Sequence, residues 1–158
     1  MKRINFKTSI ATAFFISFTI AFLTTSCGST VPTTGEISKS IEKSGTITIV
    51  AKGYGKNESI ATNHSKEQAF VNLLFRGIPN TSYSNGGMIG NETEARNRKP
   101  AYFKDFFEKN GLDKFVIKTR KIELFSKKDK SVKCEITINT KSLRNNLTQN
   151  GVIAEFGF

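Results

Sequence analysis

Hydrophobic and polar positions along the chain keep several distinct rhythms. In residues 45–55, Ile47, Ile49 and Ala51 alternate with Thr46, Thr48 and Lys52, which predicts a half-buried strand. Gly53 and Gly55 flank Tyr54 and mark a bend or a close backbone approach. Residues 57–77 change to helical spacing. Ala61, Ser65, Ala69 and Leu73 recur every four residues, a stripe small enough to lie close on a sheet, and Phe70, Val71, Leu74 and Phe75 widen the apolar face. Asn57, Asn63 and Ser65 are candidate caps, the last within a capping-box pattern, Ser65-Lys66-Glu67-Gln68. Gly77 ends the helix and Pro79 prevents its return.

Residues 79–99 hold Asn-Gly, Gly-Gly and Gly-Asn pairs and little that can be buried. They read as a loop, and a structureless stretch of about 20 residues points to mobility or function. Pro100 opens a short helix at its preferred first position, with Phe103, Phe106 and Phe107 on one face and Asn110-Gly111 as its stop. Residues 114–125 predict a second strand. Phe115 and Ile117 share one parity, Ile122 and Leu124 the other, and a bulge near residues 119–121 reconciles them. After a polar hairpin connection at 126–130, a third strand places Val132, Cys134, Ile136 and Ile138 inward and Lys133, Glu135, Thr137 and Asn139 outward. Thr140 caps a last helix bearing Leu143 and Leu147, Asn150-Gly151 closes it, and an apolar tail follows. The order β-α-(loop)-α-β-β-α predicts an α+β fold, a small antiparallel sheet packed by helices.

The amino-terminal 44 residues keep no such rhythm. Lys2, Arg3 and Lys7 precede an apolar run at residues 10–23, diluted by Ser and Thr. A transmembrane helix needs about 20 apolar residues, so this run is short for one and fits a secretory h-region. Leu23-Thr24-Thr25-Ser26-Cys27-Gly28 then sets small residues directly before a cysteine. The segment resembles the lipobox of bacterial lipoprotein signal peptides, with Leu23 one position farther from the cysteine than usual. The resemblance implies that the Cys27 thiol receives diacylglycerol and that the chain is cut before Cys27. Gly28 stands where Asp would signal inner-membrane retention, which favours the outer membrane, facing the periplasm. Residues 29–44 are rich in Ser, Thr and Gly and read as a flexible tether spanning about 20–25 Å. The chain therefore divides into a signal peptide at 1–26, a lipidated cysteine with its tether at 27–44, and a single α+β domain at 45–158.

Charge and composition narrow the chemistry. The net charge is +11, from 24 Lys+Arg against 13 Asp+Glu. The leader holds three basic residues and no acid, so residues 27–158 keep 21 basic and 13 acidic residues, or +8. Such a surface suits anionic neighbours, although the lysines interleave with acids instead of forming one stripe. One His, two Cys and no Trp leave too few ligands for a zinc or haem site or a disulfide framework, and no metal or other cofactor is expected. Gly53 and Gly55 lack the Lys-Ser or Lys-Thr pair of a phosphate loop, and no Gly-x-Ser-x-Gly elbow occurs. His64 reads as an exposed side chain near a helix start. Cys134 reads as a small buried hydrophobe among Val132, Ile136, Ile138 and the Phe103, Phe106 and Phe107 face. Glu92 and Glu94 are paired by spacing only, and Tyr83 is the one aromatic near them in the loop. The loop is the expected contact surface, and proteases are expected to cut first near Arg96, Arg98 or Lys99.

Three stretches carry a family resemblance: Ile49-Val50-Ala51-Lys52-Gly53-Tyr54-Gly55, the Ala61, Ser65 and Ala69 helix, and the hairpin followed by Leu143 and Leu147. Together they resemble the LPP-twenty-like lipoproteins, whose domain is similar to the amino-terminal domain of the flagellar assembly protein T. The resemblance spans about residues 45–151. It implies a periplasmic accessory protein attached to the outer membrane, with no established catalysis, and it transfers no catalytic residue. Two functional readings result. The first is a noncatalytic, lipid-anchored binding or assembly module of the cell envelope. Its partners would be the membrane, through the anchor, and another envelope protein or an anionic envelope component. The second is a small envelope hydrolase acting on an anionic polymer. The lack of a nucleophile–base constellation favours the first, and secretion removes the chain from nucleic acid.

Overall fold

The structure, a computed structural model, describes residues 36–154. Cys27 and the proposed signal peptide lie outside the described residues. Among these residues four strands form one antiparallel sheet in the order β1-β2-β4-β3: β1 (Ile37–Lys43), β2 (Thr46–Tyr54), β3 (Val116–Ser126) and β4 (Ser131–Asn139). The helices are α1 (Glu58–Val71), α2 (Glu92–Arg98), α3 (Pro100–Glu108) and α4 (Thr140–Gln149). A π-helical turn (Asn72–Arg76) extends α1, and a 3-10 turn (Gly111–Phe115) leads into β3. The fold is α+β, as the pattern predicts.

The two central strands carry the cleanest alternation, and their register explains the core. Ile47 pairs with Ile138, Ile49 with Ile136 and Ala51 with Cys134, and all six are fully buried. Side chains opposite each other in an antiparallel pair share a face, so these residues make one apolar surface. Ala61, Ala69, Phe70, Leu73 and Leu74 from α1 and its π turn, with Leu143 and Leu147 of α4, complete the core over that surface. Each large side chain fully buried contributes about 1.5–3 kcal/mol. From α3, Phe106 meets Phe70 edge-on at 5.5 Å between ring centroids. The other face is polar. Thr48 and Thr137 hydroxyls lie 3.0 Å apart, and Arg120 makes two hydrogen bonds to Glu135, at 3.1 and 3.0 Å.

Caps follow local chemistry. The Asn57 side chain accepts from the Ile60 amide at 2.9 Å, so the earliest of the three candidates starts α1. Ser65 is mid-helix and buried, not a cap. Asn139, rather than Thr140, caps α4 by accepting from the Ser142 amide at 2.9 Å.

Three expectations change. Residues 37–43 are not tether but the edge strand β1, which moves the start of the domain ahead of residue 45. Its Glu42 carboxylate accepts from the Ser82 amide at 2.7 Å and from the Ser82 hydroxyl. Residues 79–99 are not structureless, since α2 occupies their second half under an Asn91 cap. In β3 the register shifts at three places, between Val116 and Lys118, Lys121 and Glu123, and Glu123 and Ser126, instead of at one bulge. Ile117, Ile122 and Leu124 are consequently exposed and add nothing to the core, and Phe115 belongs to the preceding 3-10 turn.

Candidate functional site

Close packing at the end of β2 sets the geometry of the region that holds the lone imidazole. A Cβ built on Gly53 would lie 2.1 Å from the Ala61 carbonyl oxygen and 2.3 Å from the Ser65 nitrogen. Only glycine lets the strand come this near to α1. The small-residue stripe of α1 is the matching surface. There the Ser65 hydroxyl donates to the Ala51 carbonyl at 2.8 Å. His64 lies one residue earlier on α1, and its Nδ1 accepts from the Tyr54 amide at 3.0 Å. Its Nε2 lies 2.9 Å from the Gln68 side-chain amide. His64 is thus half-buried and fastens the last residue of β2 to the helix, where the sequence suggested an exposed side chain.

Cys134 is fully buried, as its parity predicts. Burial pushes the thiol pKa up, and the neighbouring Ser65 and Thr62 side chains of α1, with the Lys121 and Lys66 charges, oppose the shift only in part. The thiol is therefore held protonated and enclosed, the opposite of a reactive setting.

Two clefts carry polar groups, the first of them beside this packing. One, of about 430 Å³, is lined by Tyr54, Ile60, His64, Lys66, Phe107 and Asp113, with Lys66 Nζ 2.9 Å from an Asp113 oxygen. The other, of about 510 Å³, is lined by Tyr102, Asp105, Phe106, Lys109, Lys114 and Asn146. Lys109, hydrogen-bonded to Asp105, holds that carboxyl below its usual range. These groups supply hydrogen bonds and charge. Among the described residues no three His, Cys, Asp or Glu side chains are placed to hold a metal ion.

In the second cleft the Tyr102 hydroxyl donates to Asn146 Oδ1 at 2.9 Å, and burial raises its pKa from 10.0 to about 12. The folded chain holds this proton more tightly than the unfolded chain. Its stabilising contribution is complete below pH 10 and is lost as the pH rises from 10.0 through about 12. Tyr102→Phe is expected to cost about 1 kcal/mol at neutral pH through the lost hydrogen bond. The difference between the two proteins should shrink across that alkaline window, as read from urea unfolding at stepped pH.

The 79–99 segment is packed rather than projecting. Ile78 is fully buried, and Met88 and Ile89 pack against the core. Amides of Met88 and Ile89 donate to the Leu73 and Leu74 carbonyls at 2.9 and 2.8 Å, so the segment caps the π turn. Arg96 pairs with Glu92 at 2.8 Å and lays its guanidinium over the Phe107 ring at 4.5 Å. Arg98 donates to the Val152 carbonyl at 2.8 Å. The Glu92 carboxylate is thus engaged with Arg96 on α2, and Glu94 is exposed. The sequence missed this packing because its apolar contributors, Ile78, Met88, Ile89 and Ala95, follow no single period.

Comparisons with known protein families, with curated proteins and with solved structures return no match to this chain.

Proposed function

We propose that this protein is a lipid-anchored, noncatalytic module of the cell envelope, attached through Cys27 to the periplasmic face of the outer membrane. The proposed role is binding or assembly, beside another envelope protein or an anionic envelope component. What supports an anchored protein is the run of Lys2, Arg3 and Lys7, the apolar residues 10–23 and the small residues ending in Ser26-Cys27. The observation that carries the noncatalytic half is the engagement of His64. Its Nδ1 is spent on holding β2 to α1, at 3.0 Å from the Tyr54 amide, and its Nε2 lies 2.9 Å from the Gln68 side-chain amide on the same helix. A general base needs a free nitrogen within reach of a substrate proton. The resemblance of residues 45–151 to the LPP-twenty-like lipoproteins agrees with this reading.

Two acyl chains on one thiol would give stable attachment without a membrane-spanning helix, since a single chain binds only marginally. Intact mass of the protein extracted from membranes is the test. The expected mass is that of residues 27–158 carrying a diacylglyceryl group, and Cys27→Ser should abolish both the added mass and the cut before residue 27. A mature chain with a free Cys27 thiol would refute the anchor. Turnover of an anionic envelope polymer by the purified protein would refute the noncatalytic half in favour of a hydrolase.

A further inference from the structure

Strand register gathers a particular set of residues at one end of the sheet. Ile37 pairs with Ala51, and Tyr54 and Ser126 both pair with Ser131. The point where the chain enters the domain, the corner between β2 and α1, and the β3–β4 hairpin therefore share that end. Main-chain bonds tie them together, from the Lys52 amide to the Glu36 carbonyl at 3.2 Å and from the Gly55 amide to the Lys130 carbonyl at 2.8 Å. Lys56, Lys127, Lys128 and Lys130 are all exposed here. Three of the acids at this end are engaged: Asp129 is hydrogen-bonded to Ser126 within the turn, Glu58 is ion-paired with Lys121 and Glu123 with Lys133, while Glu36 is exposed. Leu124, two residues before the end of β3, is 84% exposed, the most exposed large apolar side chain among the described residues.

We propose that this end of the sheet is a contact surface for anionic lipid, with the four lysines against headgroups and Leu124 at the interface. Lysines together with one projecting apolar side chain are the chemistry that binds a charged bilayer surface. The far end also carries lysines, Lys43 and Lys141, so charge alone does not choose between the ends. Distance does. The seven residues of β1 separate the ends by about 20 Å, more than twice the Debye length of about 8 Å at physiological salt. Chain entry selects the hairpin end. Nine residue steps join Cys27 to Glu36, a reach of at most about 30 Å. The proposal rests on the Cys27 anchor for holding this end near a bilayer, while the lipid contact itself can be tested without the anchor.

The test uses the chain from residue 27 with Cys27→Ser, which keeps every described residue and cannot be acylated. It is sedimented with vesicles of phosphatidylcholine, alone or with about one-third phosphatidylglycerol, at about 0.1 M salt. Binding to the anionic vesicles only is expected, weakening as salt rises. Each lysine near the surface is worth about fivefold in partitioning, so Lys127→Ser, Lys128→Ser and Lys130→Asn together should lower it by about 100-fold. Asparagine is chosen at 130 because that residue has φ +49°, a conformation asparagine tolerates. Lys43→Ser with Lys141→Ser should leave partitioning unchanged, and unaltered thermal melting would show that each variant still folds. Absence of binding, an equal loss from the far-end pair, or retention on a soluble polyanion without vesicle binding would each overturn the proposal. A free Cys27 thiol in the native protein would refute the anchor while leaving this measurement intact.

Discussion

Replacing Gly53 with alanine is expected to destabilise the domain by about 3 kcal/mol or more. Elsewhere in a strand the same change helps, because glycine in a strand interior is worse than alanine by about 0.5–1 kcal/mol. Here the sign reverses. The new methyl would sit 2.1 Å from the Ala61 oxygen and 2.3 Å from the Ser65 nitrogen. Both are backbone atoms, so no side chain can rotate away. Either β2 or α1 must shift, and the shift strains the Ser65–Ala51 and His64–Tyr54 hydrogen bonds together. Domains of this size have only about 5–15 kcal/mol in hand, so a large share is lost. Urea unfolding gives the magnitude. The rate at which a thiol reagent reaches Cys134 under native conditions gives a second readout, because that thiol lies under the displaced contact. A variant as stable as the parent would show that β2 and α1 do not approach as closely as described.

The second large effect is expected at Gly87. Its φ is +68°, and a Cβ there would lie 2.6 Å from both the Leu73 oxygen and the Leu74 carbonyl carbon. Gly87→Ala combines the left-handed backbone cost, about 1–2 kcal/mol, with a clash against the carbonyls that the segment caps. A loss of about 3 kcal/mol is expected. Gly90 has φ +91° with nothing within 4 Å of its built Cβ, so Gly90→Ala carries the backbone cost alone and should be milder. Limited trypsin digestion separates the local effect from the global one. The parent should resist cleavage after Arg96 and Arg98, whose side chains are held by Phe107, Glu92 and Val152. Gly87→Ala should expose those bonds at urea concentrations where the sheet persists. Rapid cleavage there in the parent would return residues 79–99 to the status of a mobile loop.

Where the sequence repeats a period, the fold is legible. β2 and β4 each present four or more positions of one parity, and α1 carries its stripe over three turns, so strand, helix and buried face are all readable. β1 has Ile37 and Ile41, but the register slips between Ile37 and Lys39, and no alternation survives in seven residues. α2 buries only Ala95 among its seven residues, and its cap and neighbours sustain it where an apolar face does not. His64 was misread because its partner is a backbone amide ten residues away, a contact that no spacing rule records. The lysines at the hairpin end come from two separate segments, so only strand register brings them together.

The two outer strands have a consequence for behaviour at high local concentration. A protein fastened to a surface meets its copies far more often than one in bulk solution. A long edge strand with open amides and carbonyls then offers a template on which a neighbour's strand can add. β3 is eleven residues long and sits at such an edge, yet its three register shifts break the even spacing that a pairing strand must match. Lys118, exposed on this strand, adds a charge that repels its own copy on an identical approaching edge. The irregularity that makes β3 hard to read from sequence thus discourages the sheet from growing into its neighbours.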